Sequence, residues 1–248
     1  MSDKNSKLHT EAVQLDVDGT ELQCYLSYDN RQKGRRPGVL VVHEWWGLND
    51  YIRRRANMLA ELGYTALAVD MYGGGAVADN PDDAGRLMNH VLENIQQAES
   101  RMAAALTFMR EHACVDPERI AAIGYCFGGG VVLHAARTGM ALAGVVSFHG
   151  SLGSLHTPAP GSVRAKILVC HGAEDLLVPE DSVKALKKEM KAAGADLRFT
   201  AYPGALHGFT NPDADANGEK YGLPLAYSED TDKRSWSEMQ AFFKEIFA

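Results

Sequence analysis

The chain has 248 residues, 46% hydrophobic and 23% charged, enough to bury a sizeable core and expected to form a single α/β domain. Its 25 Lys and Arg against 32 Asp and Glu give a formal net charge of −7, and no basic run marks a nucleic-acid or anionic-membrane partner, so a small molecule is the expected partner. The N-terminal M-S-D-K-N-S-K-L-H-T carries no apolar leader and no stretch reaches bilayer-spanning length, which makes the cytoplasm the expected compartment. Four cysteines, Cys24, Cys114, Cys126 and Cys170, are scattered without a C-x-x-C pair, arguing against a disulfide framework or a zinc knuckle.

In chain order, Val13 to Val17 and Glu21 to Tyr28 read as edge strands joined at Asp18-Gly19, a dipeptide suited to a tight hairpin turn. With the polar loop Asp29 to Pro37 they make residues 1–37 an N-terminal edge hairpin and loop. Gly38 to His43 is a β-branched apolar run suited to a buried parallel strand, ending at Glu44. A helix from about Asp50 places Ile52, Ala56, Leu59 and Ala60 on one face and stops at Gly63; Thr65 to Val69 is the next strand. Helical pattern fills Pro81 to Arg110 in more than one piece, and Asp116-Pro117 resets the chain before the strand Ile120 to Ile123.

Past Cys126 the apolar residues Val131, Val132, Leu133, Ala135 and Ala136 recur at helical spacing. Ala143 to Phe148 and Ile167 to Cys170 read as strands separated by the loop Ser151 to Pro160, and Pro179 opens a helix carrying Val183, Leu186, Met190 and Ala193. Leu197 to Tyr202 is the last strand. Residues 208–230 form a long polar loop, a candidate lid or else a surface insertion, before a helix from about Thr231 that buries Trp236, Met239, Phe243 and Ile246. Strands alternating with helices imply an α/β fold with a mainly parallel sheet, helices on both faces, and a ligand crevice at the strands' C-terminal ends.

The stretch I-A-A-I-G-Y-C-F-G-G-G-V-V carries the chemistry. It has the strand-nucleophile-helix form G-x-S-x-G with sulfur in place of oxygen, Gly124 and Gly128 relieving the crowding of a sharp turn around Cys126. A free thiol has a pKa of ~8.5, so Cys126 needs help to ionise; the following helix's N-terminus gives some, and a base must give the rest. Of nine histidines, His9 precedes the fold, His90, His112 and His134 fall on helices, and His156 lies in an unpositioned loop. His43, His149 and His171 stand at strand ends, where they line the crevice or bond to neighbouring backbone. His207, between Gly204 and Gly208 after the last strand, is the preferred base. Glu174 and Asp175 follow a strand, and Asp175, in G-x-x-D with a proline four residues on, is the preferred acid. The order Cys126, Asp175, His207 suits such a fold. Phe127 N–H would donate to an oxyanion, and the second donor is expected after the Val39 to Val42 strand, at Trp45; Trp45 and Trp46 serve equally as lid or core aromatics.

From Val39 onward the sequence resembles the dienelactone hydrolase family of α/β-hydrolases, with H-E-W-W-G, D-M-Y, G-Y-C-F-G-G, H-G-A-E-D and L-H-G-F in order. The resemblance implies a carboxylic ester or lactone hydrolase with a Cys-His-Asp triad, no cofactor and no metal. It also implies that Glu44 interacts with the nucleophile, where a second negative charge would hold Cys126 as a resting thiol. Family members acting on dienelactones carry an arginine two residues after the D-x-Y tyrosine and another four after the histidine. Here those positions are Gly74 and Asn211, which argues against an anionic dienelactone as substrate. Arg86 and Lys220 are the candidate replacements, and Trp45, Trp46 and Tyr72 point to a neutral or aromatic acyl or alcohol group. The alternative is a ligand-binding or redox-sensing protein on a hydrolase scaffold. A metal site from His149, Cys170 and His171 lacks compact ligand spacing. The sequence leaves the oligomeric state open.

Overall fold

A computed structural model of the chain describes residues 8–248. The expectation that the first residues carry no leader therefore falls partly outside the described residues. The chain divides into two compact units, one running through Ala122 and the other Ile123–Ala248.

In the first unit β1 (Leu8–Val17) and β2 (Thr20–Asp29) form an antiparallel hairpin. Its two turn residues, Asp18 and Gly19, have φ of 52° and 78°, the positive values a two-residue hairpin turn requires. His9 lies inside β1 rather than ahead of the fold, paired with Tyr28 across the ladder. β2 pairs antiparallel with β4 (Thr65–Val69), which lies parallel to β3 (Arg36–Val42), in the order β1-β2-β4-β3. β4 is buried along its whole length, which suits its apolar, β-branched sequence. Helix α1 (Asp50–Glu61) is capped by Asn49, whose side chain accepts from Ile52 N–H, and buries Ile52, Ala56, Leu59 and Ala60 as the periodicity required. The helical stretch after Pro81 is in two pieces, α2 (Pro81–Glu93) and α3 (Ile95–Glu111). They break at Asn94, whose side-chain amide donates to His90 O (2.7 Å) and whose ψ of 55° leaves the helix.

The strand β5 (Val115–Tyr125) is longer than expected: Asp116-Pro117 does not interrupt it but lies at its start, where a proline's missing N–H is tolerated. In the second unit come α4 (Phe127–Arg137), β6 (Gly144–Phe148), β7 (Lys166–Gly172), α5 (Glu180–Ala193), β8 (Leu197–Tyr202), α6 (Ala214–Tyr221) and α7 (Glu229–Ile246). β6, β7 and β8 run parallel in that order. A Cβ at Gly144 would meet Ile246 Cδ1 at 2.8 Å and Phe242 Cζ at 3.0 Å, so glycine there lets α7 lie close on β6. The buried stripe of α7 is Thr231, Ser235, Met239, Phe242 and Phe243; Trp236 and Ile246, expected inside, are half-buried at its flanks.

Residues 208–230 are not the long loop the sequence suggested. They begin with Phe209, Thr210 and Asn211, all buried, and contain α6. Ala226 N–H donates to His207 O (3.2 Å) and Ser228 N–H to Phe209 O (3.0 Å), tying the segment's end to its beginning. Among the described residues no helix is long and apolar enough to cross a membrane.

Candidate active site

The chain turns sharply at Cys126, which has φ 52° and ψ −115° and heads α4. A non-glycine residue held at positive φ costs about 1–3 kcal/mol and persists only where its surroundings fix it. Here Cys126 N–H donates to Phe148 O (3.1 Å), while its carbonyl accepts from Gly130 N–H (3.3 Å) and Ser151 N–H (3.2 Å). A Cβ on Gly124 would come within 2.0 Å of Gly128 O, so the approach of strand to helix admits only glycine. The first turn of α4 carries no acidic residue and no side-chain cap, which leaves the helix dipole's positive end uncompensated beside the sulfur. Cys126 is partly exposed.

Asp175 sits in the turn after β7. Its Oδ1 accepts from Leu177 N–H (2.9 Å) and Val178 N–H (3.2 Å), and its Oδ2 accepts from His207 Nδ1–H at 2.8 Å. Glu174, its rival in the sequence, is exposed. Glu174 N–H bonds to Ala205 O (3.0 Å), and a Cβ on Gly172 would stand 2.5 Å from that same oxygen, so a glycine brings the loop of the acid against the loop of the histidine. The Asp175 side chain is wholly buried and that of His207 is 7% exposed.

With Nδ1 engaged by Asp175, Nε2 is the His207 ring nitrogen left to face other groups. Among the described residues no nitrogen or oxygen partners it; the sulfur of Cys126 is the group that acts on it. Burial is the largest influence on this imidazole and opposes its charge. The nearby Cys126 sulfur, the hydrogen bond to Asp175 and the Asp175 charge together outweigh burial and lift the His207 pKa to about 10. Its partners therefore hold His207 toward its protonated form.

The strand-end histidines behave differently. His43 is fully buried; its Nε2 accepts from Met71 N–H (3.1 Å), which places the proton on Nδ1, where it donates to Glu44 O. Burial pushes its pKa down to about 4. His171 is also lowered, first by burial, with the Asp175 charge opposing. His149 is fully buried, with Nε2 2.7 Å from Thr210 Oγ1.

The second unit thus brings together Cys126, Phe127, Asp175 and His207 on three loops. Asn211 is buried there too, but its side-chain carbonyl accepts from Asp213 N–H (3.0 Å) and shapes the entry to α6. Glu44, Trp45, Trp46, Tyr72 and Gly74 belong to the first unit. Glu44 is buried beyond β3, its carbonyl accepting from Gly47 N–H (3.2 Å). Tyr72 hydroxyl donates to Trp45 O (2.9 Å), and Trp45 and Trp46 pack with ring centroids 4.9 Å apart, so these aromatics brace one another. Gly74 is exposed, with φ 62°. Arg86 pairs with Asp83 on the exposed face of α2, and Lys220 lies over the Tyr221 ring.

Two residues given no role from the sequence stand out. Asp70, in D-M-Y, gathers the N–H groups of Gln23, Tyr72, Gly73 and Gly75 on its carboxylate and so fixes the glycine turn. An acidic residue followed by three glycines was its available signal. Thr210, bonded to His149, had none. Among the described residues no three His, Cys, Asp or Glu side chains gather as a metal-holding group.

This architecture is that of an α/β-hydrolase. The chain belongs to the dienelactone hydrolase family, whose model matches residues 22–247. It is similar to the solved structure m3DLH, with 37% identity and a TM-score of 0.91 over 98% of this chain and 100% of that one. It is also similar to a dienelactone hydrolase-like promiscuous phosphotriesterase, P91, from metagenomic libraries, with 33% identity and a TM-score of 0.88 over 97% of this chain and 99% of that one. A third relative, Protein usf of Aquifex pyrophilus, is 28% identical over 95% of this chain and 98% of its own length.

Proposed function

We propose that this dienelactone hydrolase-like protein hydrolyses neutral carboxylic esters or lactones through a thioester on Cys126. The observation that carries the reading is His207, joined through Nδ1 to Asp175 at 2.8 Å and electrostatically coupled to the Cys126 sulfur. The thiolate attacks the carbonyl carbon, and the oxyanion takes a hydrogen bond from Phe127 N–H at the start of α4. His207 Nε2 passes its proton to the departing alkoxide, which leaves as the alcohol. The neutral imidazole then takes a proton from water, hydroxide adds to the thioester, and the acid leaves as Cys126 regains its resting form. Asp175 holds the imidazole in one tautomer throughout. Glu44 enters as modulator of the nucleophile through the family pattern, and Trp45 as second oxyanion donor through its place in the loop after the Val39 to Val42 strand.

Neutral substrates are favoured because neither Gly74 nor Asn211 supplies a cation where dienelactone-cleaving members have arginine. Two charge-assisted hydrogen bonds of roughly 1.5–3 kcal/mol each are thereby missing for a substrate carboxylate. The test is a panel of neutral and anionic esters and lactones with wild type, Cys126→Ala and His207→Ala. Turnover of neutral members by wild type, with both variants reduced by at least ~10³-fold, is the expected result. Activity surviving both substitutions overturns the mechanism, and a strong preference for anionic lactones overturns the substrate class. Stoichiometric thiol labelling without turnover would point instead to a ligand-binding or redox role.

A second reading rests on P91, 33% identical across nearly the full length of both chains. A neutral phosphotriester offers the same thiolate an electrophilic phosphorus and an aryloxide leaving group. Release of p-nitrophenolate from a p-nitrophenyl phosphotriester, abolished in Cys126→Ala, would establish it.

A further inference from the structure

We propose that His149 is a positioning residue, holding the His207 imidazole in the single orientation that serves Asp175 and Cys126 together. The inference rests on the cysteine-hydrolase reading above.

Asp18, Cys126 and His149 are the non-glycine residues with positive φ among those described, and His149 stands at 37°. Asp18 occupies a hairpin turn that calls for such a value; His149, like Cys126, is strained at the end of a strand. Its N–H donates to Cys170 O (2.8 Å), and the residues on either side serve the nucleophile directly, Phe148 O accepting from Cys126 N–H and Ser151 N–H donating to Cys126 O. A Cβ on Gly150 would fall 2.1 Å from Ser147 Oγ, and one on Gly129 would fall 2.6 Å from Gly150 Cα, so this turn is pressed against the first turn of α4. One short segment therefore fixes the sulfur through its backbone.

The strained backbone puts the His149 ring, wholly buried, 5.2 Å from the His207 ring at an interplanar angle of 67°. The ring's own rotation is set from two sides: Nε2 lies 2.7 Å from Thr210 Oγ1, and Phe209 packs edge-on with centroids 5.2 Å apart. Thr210 and Phe209 follow His207 in the chain, so the base and its brace are held by the same strap. His207 needs such a brace, since half a turn of its ring about Cβ–Cγ puts carbons Cδ2 and Cε1 where Nδ1 and Nε2 stood, and the bond to Asp175 is lost. A fixed neighbouring ring obstructs that rotation.

The experiment compares kcat and KM on a neutral ester for wild type, His149→Phe, His149→Leu, Thr210→Val and the His149→Phe/Thr210→Val double variant, each well below its own melting temperature. His149→Leu keeps the bulk and loses the ring; kcat is expected to fall roughly 10- to 100-fold with KM unchanged. His149→Phe keeps the ring without its anchor, and Thr210→Val removes the anchor alone; each should lose roughly 3- to 10-fold, and the double variant no more than either single one. Wild-type kcat in His149→Leu, or equal losses in His149→Leu and His149→Phe, overturns the proposal. If His149→Leu does not fold, additive losses in the double variant overturn it equally. Cys126→Ala, run alongside, separates the two levels. If it is active, the cysteine mechanism itself fails; if it is inactive while His149→Leu is normal, only this inference fails.

Discussion

His43 in the first unit and His207 in the second are both buried histidines just beyond strand ends, yet their acidities are driven in opposite directions, to about 4 and about 10. Burial acts on both and lowers both. The partners decide the outcome. His43 is bonded to backbone groups, accepting from Met71 N–H and donating to Glu44 O, and such dipoles stabilise one neutral tautomer. His207 meets a carboxylate on Nδ1 and lies in the field of the Cys126 sulfur, and together these outweigh the opposing effect of burial. The first arrangement favours a neutral ring; the second favours a protonated one.

The comparison breaks most severely at Asp175. Asp175→Asn keeps the shape but offers His207 Nδ1 an amide in place of a carboxylate, so the imidazole can take the wrong tautomer. A loss of about 10⁴-fold in kcat is expected, read as steady-state ester hydrolysis. A loss below tenfold would remove Asp175 from the mechanism. Next is the His207 titration itself, followed by NMR in Cys126→Ala. Removing the sulfur deletes two of the influences that raise the imidazole, so its pKa should drop below about 10. An unchanged value would show that Asp175 alone carries the shift.

The His43 side is sharpened by stability. Its folded-state pKa of about 4 lies below the free value of 6.5, so between those pH values only the unfolded chain takes up this proton. Stability should therefore fall as pH drops through that window and be unaffected by His43 above it. His43→Gln, which retains a donor and an acceptor without titrating, should flatten that part of the pH–stability curve in urea unfolding. Parallel curves for wild type and variant would assign the acid loss to other groups.

The same contrast explains what was legible in the sequence. Cys126, Asp175 and His207 could be named because each lies in a short stretch whose glycines or proline announce a turn at a strand end. Gly172 and Gly124 are there since a Cβ would strike backbone. β4 and β8 matched their expected bounds residue for residue. Legibility failed where tertiary contacts overrode local pattern. Pro117 was taken for a break and proved to be the tolerated start of β5. Residues 208–230 looked like a loop because the eight-residue α6 is too short to display a period, and its anchors Phe209 and Thr210 act through residues remote in sequence. Thr210 contacts His149 across 61 positions, a pairing that no window of sequence contains.

His171 is the intermediate case and gives the smallest expected effect. It is 6% exposed, and burial again leads in lowering its pKa; the Asp175 charge opposes, while His207 and Lys187 add to the lowering. Lys187, whose ammonium lies 4.2 Å from the centre of the Phe199 ring, is the one of these groups that can be changed without touching Cys126, Asp175 or His207. Lys187→Met keeps the apolar stem and removes the charge, so the His171 pKa should rise by less than the His207 pKa falls in Cys126→Ala. Because Lys187 is exposed, added salt should reproduce part of that rise in wild type and none of it in the variant. A His171 titration indifferent to both would mean that burial alone separates it from the His207 pattern, and that charge decides a histidine's state here only through direct contact.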